Sequence, residues 1–134
     1  MDLSGALNTL KATSDQTHKF WMYFQAFTAA AIGFAWASTT QMEFVIGLAA
    51  AYSIFAYFNR KLVVSSQVDA CLVWNAIQQY TKNHPDKVAV EFKNIPAIGE
   101  PESANRVRML HHAISILSLA AILARLFYFS PWGR

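Results

Sequence analysis

Residues 20–38 read FWMYFQAFTAAAIGFAWAS, a stretch of 19 residues without a charged side chain. An α-helix of this length spans roughly 28 Å, close to the ~30 Å hydrocarbon core of a bilayer. Backbone polar groups in lipid must be satisfied within their own segment, so this stretch is predicted to be a transmembrane helix. The residues before it offer no short basic start, which disfavours a signal peptide.

Two further stretches are similarly poor in charge. Residues 44–59 read FVIGLAAAYSIFAYFN, and residues 110–129 read LHHAISILSLAAILARLFYF. The second stretch is short, but residues 62–64 extend it if Arg60 and Lys61 direct their charges to the headgroups. Arg125 lies about one turn from the end of the third stretch and is expected to do the same. The sequence therefore predicts an all-α integral membrane protein with three transmembrane helices.

The composition agrees with this prediction. Hydrophobic residues make up 54% of the 134 residues and charged residues only 14%, whereas roughly a quarter of the residues in soluble domains are charged. A buried hairpin in the core of a soluble protein is the alternative for the first two stretches. Three such stretches exceed what a small soluble fold can bury, so the membrane interpretation is preferred.

The distribution of Lys and Arg predicts the orientation in the membrane. No Lys or Arg lies in residues 39–43, which join the first two spans, but seven lie in residues 60–109. Lys11 and Lys19 precede the first span, and Arg134 follows the third. The amino terminus and the long connection are therefore predicted to be cytoplasmic, and the carboxyl terminus to lie on the opposite side.

The segments outside the predicted spans are mostly helical in pattern. Residues 1–19 form an amphipathic amino-terminal helix, which either continues into the first span or lies on the headgroups with a kink near Gln16. The second helix is predicted to continue through residues 60–83 as a cytoplasmic extension that ends before Pro85. Its apolar side, with Val64, Val68 and Leu72, would have to be buried outside the membrane, against neighbouring copies or against a separate protein.

The rest of the long connection is different in character. Residues 86–102 contain Pro and Gly and are predicted to be a loop, with one short strand at residues 88–92. Ser103 is predicted to cap the third helix. The chain thus divides into an amino-terminal helix (1–19), a transmembrane hairpin (20–59), a cytoplasmic helix and loop (60–109), and a third transmembrane helix with its tail (110–134).

Small residues recur every four positions on the first two spans. They are Ala29, Gly33 and Ala37 on the first span, and Gly47 and Ala51 on the second. Such spacing lets helix backbones approach closely in lipid, where no hydrophobic effect drives association. The alternative is that alanine is simply common in membrane helices. We expect these residues to be helix-packing sites, in part between chains, because three thin helices cannot cover all these faces.

Three histidines are predicted to lie at the same membrane face: His18 before the first span, and His111 and His112 at the start of the third. Two histidines from neighbouring helices at one depth can hold haem b. A metal site or a pH-sensitive cluster is a further hypothesis. The preferred interpretation is that they are polar residues at a headgroup boundary, so no cofactor is assigned and haem b is kept as an alternative.

Polar residues within the spans are few, and they mark functional candidates. Thr28, Ser53 and Ser115 either bridge helices or line a narrow pore in an oligomer. The sequence holds no phosphate-binding glycine loop and no motif of a zinc peptidase or serine hydrolase, so no catalytic residue is assigned. The single Cys71 excludes an intrachain disulfide.

The net charge of +3 does not indicate nucleic-acid binding, because basic and acidic residues are interleaved. Attraction to anionic headgroups explains the excess, which makes the lipid bilayer the expected partner. The sequence therefore favours a small, non-enzymatic, multi-pass membrane protein that acts through helix–helix assembly. It would do so as a homo-oligomer or as an accessory or structural subunit of a larger membrane complex.

Two alternative functions remain open, namely an oligomeric ion channel or pore-forming effector, and a haem b-binding redox anchor. The layout of an amino-terminal helix, a two-span hairpin and a helix extending into the cytosol resembles small pore-forming effectors of bacterial defence systems. That resemblance is one of layout without a shared motif, so it implies no site residues.

Overall fold

The computed structural model describes residues 3–37, 41–87 and 99–128, and it places three long helices among them. Helix α1 is Leu3–Trp36, α2 is Met42–Asn83 and α3 is Ala104–Tyr128, and a short 3-10 turn at Pro85–Lys87 follows α2. Over these residues the regular structure is entirely helical, which confirms the predicted α class. The strand predicted at residues 88–92 lies outside the described part of the chain.

Helix α1 is one continuous helix of 34 residues, about 51 Å long. The amino-terminal segment therefore runs directly into the first predicted span, as the first of the two predicted alternatives has it. Three threonines in the amino-terminal half of α1 lie on one face, and their hydroxyls form hydrogen bonds within the helix. Thr9, Thr13 and Thr17 each donate to the carbonyl oxygen four residues earlier, at 2.9 to 3.1 Å.

Helix α2 has 42 residues and is about 63 Å long, so the predicted extension of the second helix is confirmed. It ends at Asn83 because a residue that precedes proline is excluded from the helical region. His84 accordingly adopts φ −133° and ψ 58°. The start of α3 is also as predicted, since the backbone N–H of Arg106 donates to Ser103 Oγ at 3.3 Å.

Hydrogen bonds between the helices define their directions. From one end to the other they join Thr28 to Tyr52, the Phe20 carbonyl to Asn59, and Thr17 to Ser66. Along this series the residue numbers of α1 decrease while those of α2 increase, so α1 and α2 are antiparallel. Asn59 also bonds His111, and Gln67 bonds the Glu102 carbonyl just before α3. Helix α3 is therefore antiparallel to α2 and parallel to α1, in an up-down-up bundle.

The hydrophobic core lies in the part of the bundle made by the predicted spans. Its buried members are Phe24, Ala31, Ala35, Val45, Ala49, Tyr52, Ala56 and Ile122. Four of these eight are alanines, divided between α1 and α2. Small side chains at a helix contact allow the two backbones to approach closely, and the larger buried side chains Phe24, Tyr52 and Ile122 pack beside them.

The extension of α2 is covered by the amino-terminal half of α1. The residues buried along this part of α2 are Val63, Ser66, Gln67, Ala70, Trp74 and Ile77. The side with Val68 and Leu72, predicted to be buried against another copy or a separate protein, is 39% and 62% exposed at these residues within this chain, so its burial against a partner stays a prediction. The Thr17–Ser66 hydrogen bond directs a different face of the extension towards α1.

Arg125 turns inward, which differs from the predicted extension towards the headgroups. Its side chain is 6% exposed, and its Nε donates to the Ala35 carbonyl at 3.2 Å. The last carbonyls of a helix lack partners within it and carry a partial negative charge. Because α1 ends at Trp36 beside α3, Arg125 satisfies this end of α1 rather than reaching outward.

Two helices in the described residues, α2 and α3, are long and apolar enough to span a membrane. Only 28% of the apolar stretch of α2 and 22% of that of α3 is buried inside the chain, whereas the core helix of a soluble protein is mostly buried. Helix α1 is not one of the two, because Trp21, Tyr23 and Gln25 lower its hydropathy. The first predicted span therefore stays a prediction.

Candidate functional site

A buried polar layer crosses the bundle where all three helices meet, with Asn59 of α2 at its centre. Asn59 Nδ2 donates to the Phe20 carbonyl of α1 at 3.2 Å, and Asn59 Oδ1 lies 3.0 Å from His111 Nε2 of α3. Asn59 is 5% exposed and His111 is fully buried. Since an amide oxygen can only accept, His111 carries its proton on Nε2. One side chain thus links three helices.

The imidazole of His111 is enclosed on its other sides as well. Ser115 Oγ lies 3.3 Å from His111 Nδ1 and 2.8 Å from the His111 carbonyl oxygen. The rings of Trp21 and Phe24 stand 5.4 and 4.1 Å from the imidazole, measured between centroids. Nε2 therefore donates to Asn59, and Nδ1 accepts from Ser115 only when the single hydroxyl proton turns to it from the His111 carbonyl oxygen.

This arrangement separates the three histidines that were considered as haem or metal ligands. His111 would have to give up its bond to Asn59 in order to coordinate iron through Nε2. His18 is exposed and lines a crevice beside the amino-terminal half of α1, whereas His112 lines a different cavity, between α2 and α3. Within residues 3–37, 41–87 and 99–128, no group of three or more His, Cys, Asp or Glu is placed to hold a metal.

A groove of about 260 Å³ lies between α2 and α3, next to the polar layer. Because the two helices are antiparallel, Arg60 and His112 lie together at one end of it. Tyr52 and Leu119 lie at the other end. The groove therefore has a cationic end and an end that is mainly apolar.

Arg60 is held in place at the cationic end. Its Nη1 lies 3.2 Å from His112 Nδ1, and its Cζ is 5.7 Å from the centroid of the Tyr57 ring. A guanidinium can only donate, so His112 accepts at Nδ1 and, as a neutral ring, carries its proton on Nε2. Lys61 Nζ lies 4.7 Å from the same Tyr57 ring. Two cations thus lie over one aromatic ring, a contact that favours positive charge.

The structure places the predicted pore residues in two locations. Ser53 and Ser115 both line the groove, whereas Thr28 lies on α1 and its Oγ1 is 3.2 Å from the Tyr52 hydroxyl. Ser53 Oγ donates to the Ala49 carbonyl of its own helix at 2.8 Å. Each hydroxyl therefore has a hydrogen-bond partner within this chain.

The predicted helix-packing residues lie on the outside of the bundle. Ala29, Gly33, Gly47 and Ala51 are exposed, and Ala37 is half-buried. Gly33 lies about 200° around α1 from the buried Ala31 and Ala35, so it faces away from the core. A Cβ added at Gly33 or Gly47 would meet no heavy atom within 4 Å. These faces are therefore open to lipid or to another chain.

Sequence reasoning missed Asn59 and Arg60 as site residues. Both were treated only as the boundary of the second span, because polar side chains end a charge-poor stretch. A usable signal was present, since Asn59 lies seven residues after Tyr52 and two helical turns place both on one face. Two polar residues on the core-facing side of a predicted span indicate contacts with neighbouring helices.

Comparisons of this chain with protein-family models, with curated proteins and with solved structures found no match.

Proposed function

We propose that this chain is an integral membrane protein that acts without catalysis, by assembling through its transmembrane helices. The assembly is either a homo-oligomer or a larger membrane complex in which this chain is an accessory subunit. In the proposed orientation the amino terminus is cytoplasmic and the carboxyl terminus lies on the opposite side.

Membrane insertion is supported by the apolar outer surface of the bundle. Large apolar side chains point outward in all three predicted spans, with Phe34 and Ile54 each 60% exposed, Leu117 70% and Phe127 78%. A water-soluble monomer rarely exposes contiguous apolar surface on this scale. Lipid tails cover it without cost, since they are as apolar as the side chains themselves.

Assembly is supported by one observation above all, the outward direction of the small-residue faces. The close contacts within the chain use a different set of alanines, so the faces with Gly33 and Gly47 are not required by the fold of one chain. A face without large side chains admits another helix at short distance, where many dispersion contacts add up. A partner helix packed on this face would make more dispersion contacts than lipid tails would.

The orientation is tested by cysteine labelling in sealed vesicles. In a Cys71→Ser background, the variants Lys11→Cys and Lys82→Cys should react with a membrane-impermeant reagent from the cytoplasmic side. A Gln41→Cys variant should react only from the opposite side. All three positions are exposed, so burial does not limit the reaction. Labelling of Gln41→Cys and Lys82→Cys from the same side would contradict the predicted topology.

The assembly is tested by enlarging Gly33. A Gly33→Leu variant should shift the protein to a smaller mass in mild detergent. The leucine side chain forces apart two helices that pack closely, and each overpacked site costs the assembly about 1–3 kcal/mol. The fold of the single chain should be unchanged, since nothing lies within 4 Å of the added Cβ. Light scattering coupled to chromatography measures the mass.

The matched control is Ala12→Leu, an exposed position on the same helix but outside the predicted span. It should leave the mass of the assembly unchanged. A monodisperse monomer before any substitution would overturn the proposal, as would a mass that Gly33→Leu and Ala12→Leu change equally.

A further inference from the structure

The groove between α2 and α3 combines a fixed cation with an apolar wall. We propose that it binds an anionic phospholipid, with Arg60 and His112 holding the phosphate and the apolar end receiving part of an acyl chain. The inference rests on the membrane insertion proposed above, and it concerns a site that the assembly does not require.

The position of Arg60 matches the depth of lipid phosphates. It follows directly on residue 59, the last residue of the second predicted span, on the side where the extension of α2 begins. The guanidinium has five N–H donors in a planar fork, a geometry that suits phosphate oxygens. His112 accepts from Nη1 and fixes the orientation of the fork. The Nε2–H of His112 adds a further donor at the same end of the groove.

The local charge favours an anion. None of the groove-lining residues in the described part of the chain is acidic. The ion pair formed among residues 3–37, 41–87 and 99–128 joins Arg106 to Glu102 and involves neither Arg60 nor Lys61. Basic sites between transmembrane helices on the cytoplasmic side attract anionic headgroups. A phosphate at Arg60 would complete the charge balance at this point.

The apolar part of the groove identifies the occupant as a lipid rather than a free phosphate. Ala56, Ile116 and Leu119 line it towards the predicted membrane interior. A free phosphate would fill the cationic end only and leave these side chains uncovered. A phospholipid places its phosphate and its acyl chain in the same order along the groove as the cationic and apolar ends.

Native mass spectrometry of the full chain in mild detergent tests the inference. The protein is mixed with phosphatidylglycerol or with phosphatidylcholine of the same acyl chains, and retained lipid per chain is counted. We expect retention of phosphatidylglycerol to be about tenfold higher, and Arg60→Gln to remove that preference, as loss of one charge-assisted hydrogen bond predicts. Arg108→Gln, an exposed arginine of α3 outside the groove, is the control for general charge and should change nothing.

A second variant keeps the test independent of Arg60. Ser53 is exposed and bonds only its own helix among the described residues, so Ser53→Phe fills the groove without breaking a core contact. It should lower phosphatidylglycerol retention several-fold while circular dichroism shows unchanged helix content. Added inorganic phosphate in millimolar amounts should not displace the lipid.

Three outcomes would overturn the inference. The first is equal retention of the two lipids, and the second is an equal effect of Arg60→Gln and Arg108→Gln. The third is displacement of the lipid by inorganic phosphate together with no effect of Ser53→Phe, a result that would identify a free-anion site. The same spectra give the mass of the assembly separately from the lipid count. A monomer that retains phosphatidylglycerol would contradict the proposed assembly alone, and an oligomer without lipid preference would contradict this inference alone.

Discussion

The Asn59→Ala variant is expected to lose about 2–3 kcal/mol of unfolding free energy, because it leaves the buried His111 Nε2–H without its acceptor and removes the bond from Asn59 to the Phe20 carbonyl. Hydrogen bonds between membrane helices are often weak, since the unfolded chain in lipid finds other partners. Asn59 should exceed that average because it bonds both neighbouring helices from a position that is 5% exposed. Reversible unfolding in mixed micelles of mild detergent and dodecyl sulfate, followed by circular dichroism, measures the change.

An asparagine on the same helix supplies the control for this variant. Asn75 is exposed, so Asn75→Ala should change the unfolding free energy by no more than about 0.5 kcal/mol. If the two alanine variants were equally stable, the polar layer would not hold the three helices together.

The Tyr52→Ala variant is expected to cost about 3–4 kcal/mol, because a large buried ring is replaced by a cavity. Tyr52 is 1% exposed in the core. Lipid weakens the hydrophobic part of this cost, but the lost dispersion contacts remain. Tyr52→Phe keeps the ring and loses only the hydroxyl bond to Thr28, so about 1 kcal/mol is expected.

Tyr57 provides a matched comparison, since it is the same residue type on the same helix and is 47% exposed. Tyr57→Ala should cost less than about 1 kcal/mol in the same unfolding experiment. A cost for Tyr57→Ala as large as that for Tyr52→Ala would show that the packing of α2 differs from the structure described here.

Local signals predicted the helices well. The end of α2 before Pro85 and the cap at Ser103 depend on residues within a few positions of each other, and the structure has both. The long extension of α2 was also predictable, because no Pro or Gly interrupts residues 48–83. These features need no knowledge of what the helix packs against.

The choice of packing face could not be predicted, because it depends on the partner helix. Ala31 and Ala35 are spaced like Ala29 and Gly33, yet only the first pair is buried. Small side chains lack the contrast between polar and apolar that marks the inner face of a soluble helix. The extension of α2 shows the same effect, since Leu72 is exposed where Trp74 is buried.

The candidate site was only partly predictable for a related reason. His111 was singled out by residue type, and metal ligation was considered because sequence does not show which group faces a ring nitrogen. The answer lies in Asn59, 52 residues away along the chain. The inward direction of Arg125 was unpredictable for the same reason. It depends on the carboxyl-terminal end of α1 lying beside α3, and the sequence of α3 does not show this.

The continuity of α2 also determines how motion passes along the molecule. Sharp bends in helices need a proline, a glycine or an inserted side chain, and residues 48–83 contain neither of the first two. Because α2 is one uninterrupted helix from Met42 to Asn83, we expect a tilt at the Asn83 end to be passed along the helix towards Arg60. Helix α1 is tied to it at Ser66 and at Asn59. With α1 bonded at both levels, we expect a displacement of the Asn83 end to move the α2 wall of the groove together with α1.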